Sequence, residues 1–265
     1  MRVAPITDDP WRILAGRGPL VSAAVHDGHA ARPAVLREFH LDSQQRLREE
    51  DPCTARWATV APTQVVGCRS RFEFDLNRPR EKAVYLTPDD AWGLQVWKET
   101  LPQETFAESL SLYDRFYEEV GTLFDRLLVE NRRLVVCDIH SYNHRRGGPQ
   151  AAPDDPALNP EVNLGTGTMD RSRWTPVVDA FLGTMACGEW QGRTLDVREN
   201  VKFRGGHFAD WLHRRYPESV CVLSIEFKKI YMDEWTGDVD EHAVEALGAA
   251  LNAAAASAVN ALELL

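Results

Sequence analysis

The chain has 265 residues, 44% hydrophobic, 9% aromatic and 26% charged, with a formal net charge of -10 and an isoelectric point near 5.3. This apolar share can build a sizeable core within one domain spanning residues 1–265, and the composition excludes a disordered chain. The acidic balance excludes a protein that tracks nucleic-acid phosphates, and no run approaches the roughly 18 apolar residues of a membrane span.

In chain order, the N-terminus lacks a charged start followed by an apolar signal core, so a cytoplasmic setting is expected. The first apolar run, residues 20–25, leads into His26-Asp27-Gly28. An acidic pair, Glu50 and Asp51, precedes a second run at 64–68, which leads into a segment carrying Arg69, Arg71, Glu73, Asp75, Asn77 and Arg78. Residues 81–104 are irregular. Leu110, Tyr113, Phe116, Tyr117, Val120, Phe124 and Leu127 then recur at helical spacing, which predicts a helix over 110–128. A third run, 134–137, ends in Asp138-Ile139-His140-Ser141-Tyr142, and residues 143–170 form a second irregular segment rich in Gly, Pro and Asn. The fourth run, 220–225, is followed by Glu226-Phe227-Lys228, and the alanine-rich stretch 241–265 has the propensity of an outer helix.

The four runs lack polar alternation and alternate with helical stretches. They read as buried strands of a mixed, mostly parallel sheet flanked by helices. Long irregular segments between such elements tend to be functional loops. The five cysteines are odd in number and scattered, which suits a reducing compartment, and Cys68, Cys137 and Cys221 read as small core residues.

Ligands of open α/β sheets bind at the carboxyl ends of strands, and polar residues gather there in this chain. His26 and His140, with Glu50 or Asp51 from the intervening loop, supply three ligands for Zn2+ and leave a fourth position open to water. Such a metal activates water and polarises a carbonyl, and Glu226 then serves as general base and proton donor. His29 is a rival ligand, whereas His40, His144, His207, His213 and His242 read as surface or supporting residues. The bland reading of Glu226 is a carboxylate paired with Lys228 or Lys229. Arg69, Arg71, Asn77 and Arg78 suit a small anionic substrate, because arginine forks bind carboxylates bidentately. The alternative is an ordinary basic loop paired with Glu73, Asp75 and Glu81. Lys202-Phe203-Arg204-Gly205-Gly206 sets a glycine turn beside two cations, suited to a second anionic group.

With these residues in order, the sequence resembles the N-formylglutamate amidohydrolase family, related to zinc carboxypeptidases, succinylglutamate desuccinylase and aspartoacylase. The markers are His26-Asp27-Gly28, Ser70-Arg71-Phe72 running into Asp75-Leu76-Asn77-Arg78, His140-Ser141-Tyr142, Asn163-Leu164-Gly165-Thr166, the Gly205-Gly206 turn and Ile225-Glu226. They span most of the chain. The resemblance implies a zinc-carboxypeptidase-like three-layer α/β fold and one zinc ion, or another divalent metal, on His26, His140 and a carboxylate. Asp51 matches that carboxylate best by position, with Glu50 next.

It further implies Arg71 near the substrate carbonyl oxygen or carboxylate, Asn77 and Arg78 on the substrate α-carboxylate, and Glu226 as proton shuttle. Arg204 and Tyr142 complete the substrate-binding set. The expected activity is hydrolysis of the amide of a small N-acyl amino acid, with formyl as the family's default acyl group. The alternatives are a different N-acyl amino acid or peptide as substrate, or a non-catalytic anion-binding relative. Asp27, Tyr142 to Arg146 and Phe227 to Gly237 depart from the family pattern and mark a subgroup. Nothing in the sequence specifies an oligomeric state.

Overall fold

A computed structural model describes residues 9–265. Among them, seven strands form one mixed sheet: β1 (Trp11–Leu14), β2 (Leu20–Ala24), β3 (Thr63–Gly67), β4 (Leu134–Tyr142), β5 (Val162–Gly165), β8 (Val197–Glu199) and β9 (Val220–Lys228). Their order is β1-β3-β2-β4-β9-β5-β8, and β6 (Glu189–Trp190) and β7 (Arg193–Thr194) form a separate small hairpin. The four central strands β3, β2, β4 and β9 run parallel, while β1 and β5 pair antiparallel with β3 and β9. The mostly parallel α/β sheet expected from the apolar runs is therefore present.

Side chains alternate across a strand, so β4 and β9 feed two layers. Val136 and Val222 point into a core shared with helix α4 (Gln103–Glu130) and helix α6 (His207–Arg215). Val135, Cys137, Ile139, Cys221, Leu223, Ile225 and Phe227 point into the other, beneath α5 (Thr175–Met185) and α7 (Glu241–Leu262). Alanines at Ala243, Ala250, Ala254 and Ala258 let α7 lie close to its neighbours, and Trp57 fastens it by donating Nε1–H to the Val244 carbonyl at 2.9 Å. Helix α4 has the apolar face read from the sequence and starts seven residues earlier than the periodicity alone indicated. Cys137 and Cys221 are buried as expected, but Cys68 is only half-buried at the rim of β3; all five cysteines are free. No described helix is long and apolar enough to cross a membrane.

Three short helices, α1 (Pro33–Glu38), α2 (Ser43–Glu49) and α3 (Thr54–Trp57), connect β2 to β3. Helix α2 starts at a reciprocal cap in which Asp42 accepts the Gln45 N–H and Gln45 accepts the Asp42 N–H. Its last turn delivers Glu49, Glu50 and Asp51 to the carboxyl end of the sheet. There the Asp51 N–H donates to the His26 carbonyl at 3.0 Å, and Asp27 accepts the Ala55 N–H at 2.9 Å. Gly28 makes the approach possible, since a Cβ there would lie 2.2 Å from the Cys68 carbonyl carbon.

Candidate active site

The site-facing positions of β4 and β9 turn polar toward their carboxyl ends while the opposite face stays apolar. Asp138 and His140 on β4 stand directly opposite Ser224 and Glu226 on β9. His140 and Glu226 are thus adjacent by register, and each lies within a strand. His26 follows β2, the neighbour of β4, and Asp51 reaches the same point from the loop beyond α2.

His26, Asp51 and His140 converge, with one ligand atom from each lying within 4.8 Å of the others, and all three are buried. Asp51 Oδ2 lies 3.4 Å from His26 Nδ1 and 3.0 Å from His140 Nδ1. Each ring turns its other nitrogen to a buried carboxylate: His26 Nε2 is 2.7 Å from Asp75 Oδ1, and His140 Nε2 is 3.0 Å from Asp138 Oδ1. When both rings are neutral with Nε2–H donating to these carboxylates, each Nδ1 presents a lone pair to the space beside Asp51, as a metal ion would require; without an ion, a proton on His140 Nδ1 meets Asp51 instead. His26 Nδ1 is buried and has no hydrogen-bond partner. A buried imidazole lone pair facing a carboxylate is unfavourable unless a cation lies between them.

The charge balance points the same way. Asp51, Asp75, Asp138 and Glu226 surround two imidazoles, and Arg71 is the guanidinium paired with Asp75 at 2.7 Å. Burial opposes the charge on Asp51, but the hydrogen bond to His140 and the positive charges of His140 and His26 outweigh it and hold the carboxyl well below its usual range. The same carboxylates hold His140 well above the usual imidazole range against the opposing effect of burial. A divalent ion would supply positive charge that protons otherwise provide. Two nitrogen donors and one oxygen donor, each histidine held from behind by a carboxylate, fit zinc.

The group lines a cavity of about 820 Å³, which also receives Arg71, Asn77, Arg78, Tyr142, Arg204 and Glu226. Loss of solvent around Glu226 pushes its carboxyl up to about 8; His140 opposes this, and the carboxylates of Asp51 and Asp138 add to it. Neither lysine neighbour pairs with it: Lys228 donates to the Asn159 carbonyl, and Lys229 donates to the carbonyls of Arg48 and Glu50. Arg71 is fixed on Asp75 and lies over Trp92 with 4.9 Å to the ring centre. The Asn77 side chain accepts the Phe208 N–H at 2.9 Å and lies 3.3 Å from His140 Nε2, so it braces α6 as well as bordering the cavity. Gly206 packs against it, where a Cβ would sit 2.2 Å from Asn77 Nδ2.

Other expected residues are placed differently. The Glu50 side chain turns to His29, 2.5 Å away, and to Ser70, outside the His26–Asp51–His140 group. Tyr142 presents its ring to the cavity while its hydroxyl donates to the Pro160 carbonyl. His213, read as a surface or supporting residue, is buried between α6 and β9. Asp75, Asp138 and Lys229 received no site role from the sequence. Asp138 carried a signal, since it lies two residues before His140 and so on the same strand face. Burial pushes the Lys229 ammonium down to about 8, against the carboxylates around it.

The family model described as N-formylglutamate amidohydrolase matches residues 18–232. An N-formylglutamate amidohydrolase from Ralstonia eutropha JMP134 superposes with a TM-score of 0.73 at 16% identity, covering 97% of this chain and 99% of that one. A gene product from Agrobacterium tumefaciens superposes with a TM-score of 0.66 at 17% identity, covering 96% of each chain. At these identities the likeness speaks to the fold. No curated protein matches the sequence.

Proposed function

The chain belongs to the N-formylglutamate amidohydrolase family, and from that premise we propose that it hydrolyses the amide of a small N-acyl amino acid in a zinc-dependent reaction within the cytoplasm. The observation that carries this reading is the buried His26–Asp51–His140 group beside Glu226 in one cavity. Zinc, when bound by those three residues, supplies Lewis acidity toward the acyl carbonyl and lowers the pKa of water. Asp75 and Asp138 keep the two imidazoles oriented for that task.

Glu226 takes a proton from the attacking water, whose oxygen forms the new bond to the acyl carbon. The C–N bond then breaks, and Glu226 returns the proton to the leaving nitrogen, so the products are a carboxylic acid and an amine. Arg71 stabilises the negative charge that develops on the carbonyl oxygen. Arg78 receives the substrate carboxylate, Asn77 borders it, and Arg204 and the Tyr142 ring form part of the wall.

Glu226→Gln tests the assignment. The variant is expected to keep stoichiometric zinc by elemental analysis and to bind N-formyl-L-glutamate, while turnover falls by at least about 100-fold. Turnover near the wild-type rate removes Glu226 from the reaction.

A further inference from the structure

Positive charge in the cavity continues past the reacting centre. In the sheet, the strand ends run in the order β3, β2, β4, β9, β5, β8. Arg71 and Arg78 follow β3, His26 follows β2, His140 lies on β4 and Glu226 on β9. Lys202 follows β8, on the far side of Glu226 from Arg78, and also lines the cavity. Arg146, from the loop that leaves β4, lines it as well.

Lys202 is fixed in place, and the backbone that carries the exposed Arg146 is braced. Asn163 Oδ1 accepts the backbone N–H groups of Lys202 and Phe203, at 2.8 and 3.3 Å. Lys202 Nζ donates to Asn159 Oδ1 at 2.5 Å and lies 5.2 Å from the centre of the Tyr142 ring. The loop bearing Arg146 is held by Glu234, which is 1% exposed and accepts the N–H groups of His144 and Arg145 at 2.7 and 3.1 Å. Trp235 donates to the Arg145 carbonyl and stacks on Arg48, giving the segment 232–237 a bracing role. Burial lowers the Lys202 pKa; Asp154 opposes this, and the nearby Arg146 charge adds to it.

Arg146 can be released to a ligand. It pairs with Glu49 at 3.1 Å, but Glu49 also receives Arg48 at 2.9 Å and so keeps a partner when Arg146 turns away. We propose that Arg146 and Lys202 form a second anion-binding position that takes the terminal carboxylate of a dicarboxylic acyl group, so that the substrate bears charge at both ends. This deepens the hydrolase reading and rests on it for the direction in which the substrate lies.

Binding separates the two ideas. The full-length Glu226→Gln protein, loaded with zinc, is titrated calorimetrically with N-succinyl-L-glutamate and with N-butyryl-L-glutamate, whose acyl group carries no charge. The succinyl compound is expected to bind at least about tenfold more tightly, as one charge-assisted hydrogen bond provides. Adding Lys202→Met or Arg146→Gln is expected to cut that ratio by about tenfold, and Arg146→Lys to restore part of it. Equal affinities for the two compounds, or an unchanged ratio in both variants, overturn the anion position even if the wild-type chain hydrolyses both. Preferential binding leaves the position standing whatever the turnover, whereas failure of the wild-type chain to hydrolyse N-formyl-L-glutamate as well as both of these compounds overturns the hydrolase reading.

Discussion

Helix α6 carries His207, Asp210 and Arg214 on the cavity wall and is fastened to the sheet through His213. The Val222 N–H donates to His213 Nε2 at 3.0 Å, so that nitrogen must be unprotonated, and Nδ1–H is left to donate to Thr168 Oγ1 at 3.0 Å. Burial lowers the His213 pKa from 6.5 to about 4. Its folded pKa lies below its unfolded value, so the unfolded state binds the extra proton first and stability falls as pH drops below about 6.5. A gap of about 2.5 pH units, at about 1.36 kcal/mol each, makes this residue responsible for roughly 3 kcal/mol once the pH is below about 4. By about pH 5 about 2 kcal/mol of that is already lost. His213→Gln keeps an acceptor for the Val222 N–H but cannot titrate. Urea denaturation of both proteins at several pH values should show the wild type's advantage over the variant shrinking by about 2 kcal/mol between about pH 7.5 and 5. Parallel stability curves would refute the fixed neutral imidazole.

Two further outcomes follow from the polar partners around the site. Asp138→Asn removes the carboxylate behind His140 and is expected to weaken zinc binding about 10- to 100-fold in a chelator competition, with the circular dichroism spectrum unchanged. An unaltered affinity would show that His140 needs no such partner. Lys229→Met leaves the carbonyls of Arg48 and Glu50 without a donor and the nearby carboxylates uncompensated, at a cost of about 3–5 kcal/mol in the urea-derived stability. A loss below about 1 kcal/mol would mean that water replaces the ammonium at those carbonyls.

The central strands were legible because they are unbroken apolar runs, but their ends were not. β4 extends from the expected 134–137 to Tyr142, and β9 from 220–225 to Lys228, because Asp138, His140 and Glu226 on one face alternate with apolar partners such as Ile139 and Phe227 on the other. A run read for continuity stops where one face becomes functional. β5 and β8 escaped notice because they are short and carry Asn163 and Arg198, and β5 lies within a segment read as irregular. β1 has Arg12 in its four residues and gains its stability from pairing with β3 at the sheet edge. Among the metal candidates, His26, Asp51 and His140 were readable as residue types at strand ends and in the loop between them. Asp75 as the partner of His26 was not, since the two are 49 residues apart and only the fold joins them.

Because His140 and Glu226 occupy facing rungs of the β4–β9 ladder, their separation is set by the distance between neighbouring strands, about 4.8 Å, and by no loop. Lengthening or trimming the segments after β4 and β8 can therefore remodel what the cavity admits while leaving that spacing untouched. The sheet works as a fixed ruler, and relatives of this chain are free to diversify around it.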